Sequence, residues 1–374
     1  MKVVGCLLLL VLSLVVVPEA GAEEAFGSPI YPDIYNMTAC GPGTLIVVTA
    51  DAVQELSWDG GAWKNRKIGP NQANWATCSS DGAFLAIESS TKREFFWRSG
   101  KTWQSIAPAE TANLEETRLF AGADSLLLVP NHITRATSDA VVRRYRRDGD
   151  SYKVDATQLA MGPILDFAAD IKKTSAFPDS ASIELLEREE GGFTAATLLE
   201  NVLAGGSGAP TVLIFRFSDA LVSWIAWKAS ENEQWNFGRL PDEAWPEMAK
   251  LSDPNTLTIT ATAGHTSRSL LPLDAYRCPL QMPFECNRVL SGNLPSGEAI
   301  VAVSLPLYLI EDSERQCFRM AAIDGGTTPC YDLAKWPPIY FEHVAGRAVV
   351  AFGVGQNDSD GFEAVPLYDL PLPQ

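Results

Sequence analysis

The chain has 374 residues, a formal net charge of −17 at pH 7, 46% hydrophobic side chains and 9% aromatic ones. Its length exceeds that of an ordinary single domain of about 100 to 200 residues, although repeat folds reach it as one unit. The acidic balance argues against nucleic acid or an anionic membrane as the main partner, since both call for a basic surface.

In chain order, Lys2, the apolar run Val3 to Val17, Pro18 and the small residues Ala20-Gly21-Ala22 before Glu23-Glu24 read as a secretory signal over residues 1–22. Residues 23–374 are then one exported domain, and no later segment is apolar for the length of a membrane helix. With Cys6 lost in the signal, six of the seven cysteines remain, an even number that favours disulfides in an oxidising compartment. Spacing alone leaves several pairings open. Cys278 with Cys286 and Cys317 with Cys330 are near neighbours, which leaves Cys40 with Cys78.

An internal repeat follows. Asn36-Met37-Thr38-Ala39-Cys40, Leu45 to Val48 and Glu55 to Trp63 align with Asn74-Trp75-Ala76-Thr77-Cys78, Phe84 to Ile87 and Glu94 to Trp103. Each unit has a small-residue strand, an apolar strand, an aromatic strand, a Gly turn and a closing aromatic. The closing aromatics Trp63, Trp103, Tyr152, Phe193 and Trp235 recur every 43 residues or so. Beyond them, Leu257 to Thr260 with Leu270 to Tyr276, Ile300 to Val303 with Cys317 to Ile323, and Val349 to Phe352 with Phe362 to Leu370 continue the strand pairs. Short β-rich strands at this period, with few helical apolar patterns, predict an all-β β-propeller of about eight four-stranded blades, or seven if one late unit is an insertion. The last unit lacks an outer strand, and the segment Phe26 to Asp33 is expected to supply it, closing the ring through both chain ends. In this register Trp58, Trp63, Trp97, Trp103, Trp227 and Trp235 belong to the architecture.

The turns Ser57-Trp58-Asp59-Gly60-Gly61-Ala62-Trp63 and Ser99-Gly100-Lys101-Thr102-Trp103 resemble the Asp box of sialidase-like propellers, the first one residue short and the second without its Asp. That resemblance implies a structural hairpin. A sialidase would also need an arginine cluster, a Tyr nucleophile with a Glu, and an acid/base Asp. Arg118, Arg216 and Arg347 stand near predicted inner strands without assignable partners. Phe352-Gly353 with Asn357 to Gly361 is similar to the calcium loop of FG-GAP propellers, with Asp358 and Asp360 as metal candidates, but Gln356 replaces the first acidic ligand. Asn36-Met37-Thr38 and Asn357-Asp358-Ser359 are N-glycosylation acceptors in a eukaryotic secretory pathway.

The three histidines, His132, His265 and His343, lack metal-ligand spacing. Arg143, Arg144, Arg146 and Arg147 around Tyr145 form a dense basic cluster that reads as an ion-paired strand. On a propeller the connections from second to third strand and between blades form the ligand face, which places His132, Arg135, His265 and Arg268 there. The expected protein is a secreted or periplasmic monomer that binds an extracellular protein or glycan, with no cofactor, no catalytic residues and no membrane anchor. A diverged sialidase-like glycoside hydrolase is the alternative.

Overall fold

The computed structural model describes residues 28–373 outside the stretches 70–72, 91, 107–116, 123, 131, 135–138, 161–166, 168–191, 195–200, 205–210, 217–222, 229–233, 242–243, 254, 264–271, 295–297, 332–337 and 353–364. The expected signal segment therefore lies outside the described residues. All regular elements described are β-strands, and every ladder between them is antiparallel. Among the described residues no helix is long and apolar enough to cross a membrane.

The strands fall into successive sheets, each running outward from its first strand in chain order. Sheet I holds β2 (Asn36–Ala39), β3 (Thr44–Val48), β4 (Val53–Trp58) and β5 (Trp63–Lys67). Sheet II holds β6 (Trp75–Cys78), β7 (Phe84–Glu88), β8 (Arg93–Ser99) and β9 (Thr102–Ile106). Sheet III is β10 (Thr117–Ala121), β11 (Ser125–Pro130), β13 (Asp139–Asp148) and β14 (Ser151–Ala160), and sheet IV is β16 (Asn201–Ala204), β17 (Thr211–Arg216), β18 (Ser223–Lys228) and β19 (Asn236–Arg239). Sheet V comprises β20 (Ala244–Asp253), β21 (Thr256–Ala263), β22 (Leu273–Pro279) and β23 (Asn287–Leu290). Sheet VI has only β24 (Ala299–Ser304), β25 (Leu307–Asp312) and β26 (Cys317–Ala322). Sheet VII runs β27 (Pro338–Val344), β28 (Arg347–Phe352), β29 (Val365–Leu370) and then β1 (Tyr31–Ile34), so both ends of the chain share one sheet.

The second strands β3 and β7 are almost wholly apolar because both of their faces are covered. In β3, Leu45 and Val47 pack with Ile34, Val349 and Leu367 of sheet VII, while Ile46 and Val48 pack with Leu85 and Ile87 of sheet II. The alternation then passes along: Phe84 and Ala86 of β7 face Leu126 and Leu128 of sheet III. A period of two that sends odd and even residues to different sheets yields an unbroken apolar run in sequence. Each described core thus lies between two consecutive sheets. The first strands also touch in series: β2 meets β6 and β27, β6 meets β10, β10 meets β16, and β16 meets β20. From there β22 meets β24, and β24 meets β27.

Three of the closing aromatics, Trp63, Trp103 and Tyr152, tie their sheet to the one before it. The Trp63 indole donates to Asp369 at 3.0 Å, the Trp103 indole donates to Glu55, and Tyr152 packs at 6.0 Å on Trp97. Glu55 is 8% exposed and also accepts from Arg66 at 2.9 Å and Arg98 at 3.0 Å, with Arg98 lying 4.5 Å over the Trp103 ring. Asp369 likewise accepts from Arg347, whose guanidinium lies 4.8 Å over Trp58. These tryptophans are architecture, as the repeat implied. The Asp-box-like turn joins β4 to β5: the Asp59 carboxylate accepts from the Gly61 and Ala62 amides, and Gly60 takes a φ of 95°. The Lys64 ammonium and these two amides hold the Asp59 carboxyl down at about 2.

All three disulfides pair as the spacing suggested, with Cα–Cα distances of 5.3 Å for Cys40–Cys78, 4.2 Å for Cys278–Cys286 and 5.7 Å for Cys317–Cys330. One repeat unit is corrected. β15 (Gly192–Thr194), which carries Phe193, pairs with β12 (His132–Thr134) in a two-stranded ribbon and belongs to none of the larger sheets. Gly191-Gly192-Phe193 mimics a turn with a closing aromatic, but the next sheet starts only at Asn201. The described residues thus form seven sheets of three or four strands and this ribbon, not eight equivalent units.

Candidate functional site

The meander gives every sheet two distinct ends. At one end lie the connections from first to second strand, most of them short: 40–43, 305–306 and 345–346. Several are bonded to the next sheet's equivalent. Ala345 donates its amide to Pro42 at 2.9 Å, and Ser80 donates to Gly122 at 3.0 Å. A Cβ on Gly82 would lie 2.8 Å from the Cys40 carbonyl oxygen, and Cys40 is bridged to Cys78. From sheet VII through sheets I and II to sheet III, backbone contacts and a disulfide knit this end together.

The opposite end carries the connections from second to third strand and from each sheet to the next. Here the first strands of sheets VII, I and II begin, and two large apolar side chains stand exposed: Ile339 at 50% and Trp75 at 47%. Between them the sheets are joined by polar bonds. The Tyr340 hydroxyl donates to the Tyr35 carbonyl at 2.8 Å, and the Asn36 side-chain oxygen accepts the Ala76 amide at 3.3 Å. Burial raises the Tyr340 hydroxyl above its ordinary pKa, opposed by its bond with Asn36. Glu88, at the end of β7, is ion-paired with Arg93. The site therefore offers an exposed indole and an exposed branched alkyl group on a polar-bonded frame, a surface suited to binding.

Of the residues chosen from sequence, His132 lies on β12, between the second and third strands of sheet III. Arg135, His265, Arg268, Asn357, Asp358 and Asp360 lie outside the described residues. Among the described residues no group of His, Cys, Asp and Glu could hold a metal ion. Asn36, the expected glycan acceptor, is 2% exposed and its side-chain oxygen is engaged with the Ala76 amide. The arginine cluster on β13 is ion-paired in part, Arg144 to Asp124 at 3.2 Å and Arg146 to Asp155. Of the three arginines considered for a carboxylate site, Arg347 starts β28 at the short-turn end and is held by Asp369, whereas Arg118, near the start of β10, and Arg216, which finishes β17, lie at the opposite end of sheets III and IV. Trp75 and Ile339 were not singled out by the sequence. The available signal was a Trp opening a first strand, away from any closing position.

No family model matches the chain, and no curated protein matches its sequence. Solved structures do. The β-propeller domain of the Trilobed protease from Pyrococcus furiosus is 10% identical, with 90% of this chain and 95% of that one covered and a TM-score of 0.47. YCF48 from Cyanidioschyzon merolae is 11% identical, with 90% and 96% covered and a TM-score of 0.44. The six-bladed propeller lectin of Aleuria aurantia is 15% identical, with 67% and 76% covered and a TM-score of 0.37.

Proposed function

We infer that the chain is a secreted seven-bladed β-propeller, sheets I to VII being its blades and β1 the outer strand that closes the ring, and that it acts as a binding module. Its ligand, an extracellular protein or a glycan, sits at the mouth where Trp75 and Ile339 are exposed. One observation carries this reading: the two ends of the blades differ, one knitted together by short turns and a disulfide, the other bearing two exposed large apolar side chains. Exposed aromatic surface at a preformed mouth contributes contact area at low cost in conformational entropy. Three disulfides and the N-terminal apolar run support an oxidising, extracytoplasmic location.

The test is binding to an immobilised glycan array and a library of extracellular domains, alongside turnover assays on fluorogenic glycosides. Saturable binding without turnover, weakened about tenfold or more by Trp75→Ala or Ile339→Asp at unchanged circular dichroism, is the expected result. Glycoside turnover that survives both substitutions but fails when channel carboxylates are replaced would instead establish the hydrolase.

A further inference from the structure

Blade VI is the one described blade without a four-stranded ladder, and the way its edge is covered goes beyond the binding role. The outer edge of β26 is met by residues 327–331, through isolated bridges at Phe318 with Tyr331 and Ala321 with Thr327. Phe318 and Tyr331 exchange amide bonds at 3.0 and 2.7 Å, Met320 donates to the Thr328 hydroxyl at 2.9 Å, and Ala322 donates to Gly326 at 3.2 Å. The segment turns in through Gly325 and Gly326, at φ 103° and 92°. Along residues 323–331 only Thr328 is buried, while Tyr331 is partly buried against the core of blades VI and VII. With so small an apolar footing, the segment is held by these hydrogen bonds and by the Cys317–Cys330 bond.

That bond is also the most accessible of the three. Cys330 is exposed, whereas Cys40 and Cys78 are 0% and 4% exposed, and Cys278 at 0% is bridged to a half-buried Cys286. Thiol–disulfide exchange needs a thiolate to reach a sulfur, so access ranks the three bonds. We propose that Cys317–Cys330 is a redox-sensitive latch that covers the edge of β26 in the oxidised protein and uncovers it when reduced. A small thiol, as thiolate, attacks Cys330 Sγ, giving a mixed disulfide and releasing Cys317 as thiolate. A second thiol then displaces Cys330 and leaves as the oxidised disulfide, so the bond takes up two electrons from two thiols. Untied, residues 327–331 swing away on the two glycines and the amides of Phe318, Met320 and Ala322 lose their acceptors.

The experiment uses the whole oxidised protein, treated with graded dithiothreitol or reduced glutathione, pulse-alkylated with iodoacetamide and mapped by mass spectrometry, with hydrogen exchange followed in parallel. Cys317 and Cys330 should be alkylated about ten times faster than Cys40 and Cys78, while near-ultraviolet circular dichroism is retained. The amides of residues 318, 320 and 322 should then exchange on the order of a hundredfold faster, with sheets I and II unchanged. Alkylation of Cys40 and Cys78 at the same rate overturns the proposal, as does unchanged protection at residues 318 and 320 after selective reduction. Neither result bears on binding at the Trp75 mouth, whose failure would show in the glycan and protein assays alone.

Discussion

Replacing Glu55 by Ala removes one of the polar ties between sheets I and II. The carboxylate is 8% exposed and receives three donors, the Arg66 and Arg98 guanidiniums and the Trp103 indole. Removing it leaves Arg98, with a side chain 22% exposed, and the indole without their acceptor. Breaking a buried pair from one side costs about 3 to 5 kcal/mol, and the partial exposure of Arg98 draws the expectation for Glu55→Ala toward about 3 kcal/mol. Arg66→Ala should cost well under about 1 kcal/mol, because that side chain is 41% exposed and its share is screened. Trp103→Phe, which keeps an aromatic ring but loses the indole N–H bond to a charged acceptor together with part of the ring's packing and of the Arg98 stacking, should cost at least about 1.5 to 3 kcal/mol. Urea unfolding followed by tryptophan fluorescence, at unchanged slope, measures all three. A Glu55→Ala cost below about 1 kcal/mol, or one equal to that of Arg66→Ala, would refute the reasoning that this carboxylate acts as a buried hub.

Gly238→Ala would drive its new methyl into the Phe284 ring, whose Cγ lies 2.5 Å from the added carbon, so a loss of about 1 to 3 kcal/mol is expected, reduced in a Phe284→Ala background that removes the ring and keeps only the Cβ at 2.9 Å. Burial lowers the His343 pKa below its ordinary value, so the unfolded chain takes the proton first and stability falls as pH drops through about 6.5. Thermal unfolding of His343→Asn should accordingly vary less than wild type between pH 7.5 and pH 5.5, roughly the histidine range; parallel curves would contradict this. In a eukaryotic secretory host, glycopeptide mapping should find Asn36 unmodified. Asn36→Ala should cost about 1 to 3 kcal/mol by orphaning the Ala76 amide, and a wild-type-like melting curve would count against that bond.

Local pattern made the blades legible where each unit carries its own turn and closing aromatic, as in residues 36–63 and 74–103. There the hairpin Asp59-Gly60-Gly61 and the ties of Trp63 and Trp103 follow from residues within or one blade away. The pattern misled at Phe193, because a Gly-Gly-Phe triplet is a turn signal that says nothing about the strands around it. The mouth was less legible still. Histidines and arginines in predicted loops drew the search, whereas exposure of Trp75 and Ile339 depends on how three sheets converge, which no single unit encodes. Burial of Asn36 has the same origin, since its acceptor role is fixed by an amide 40 residues away.

The Cys40–Cys78 bridge shows how a one-residue difference between repeats becomes structure. Sequence alignment sets the two cysteines at equivalent positions, but the ladders do not. Asn36 pairs with Val48 and Trp75 with Glu88, and the turn roles of Cys40 and Ser79 match, each donating its amide to the first residue of the second strand or its neighbour across the turn. Cys78 therefore sits one place earlier in its blade than Cys40. Truly equivalent residues in neighbouring blades point the same way round and cannot face each other. The offset reverses one of them, since a step of one residue moves a side chain to the opposite face. Cys40 then looks toward blade II with Ile46 and Val48, Cys78 looks back toward blade I with Leu85 and Ile87, and the two meet in the core between the blades. The bridge exists because the repeat is imperfect, and the longer turn 79–83 is where the imperfection was introduced.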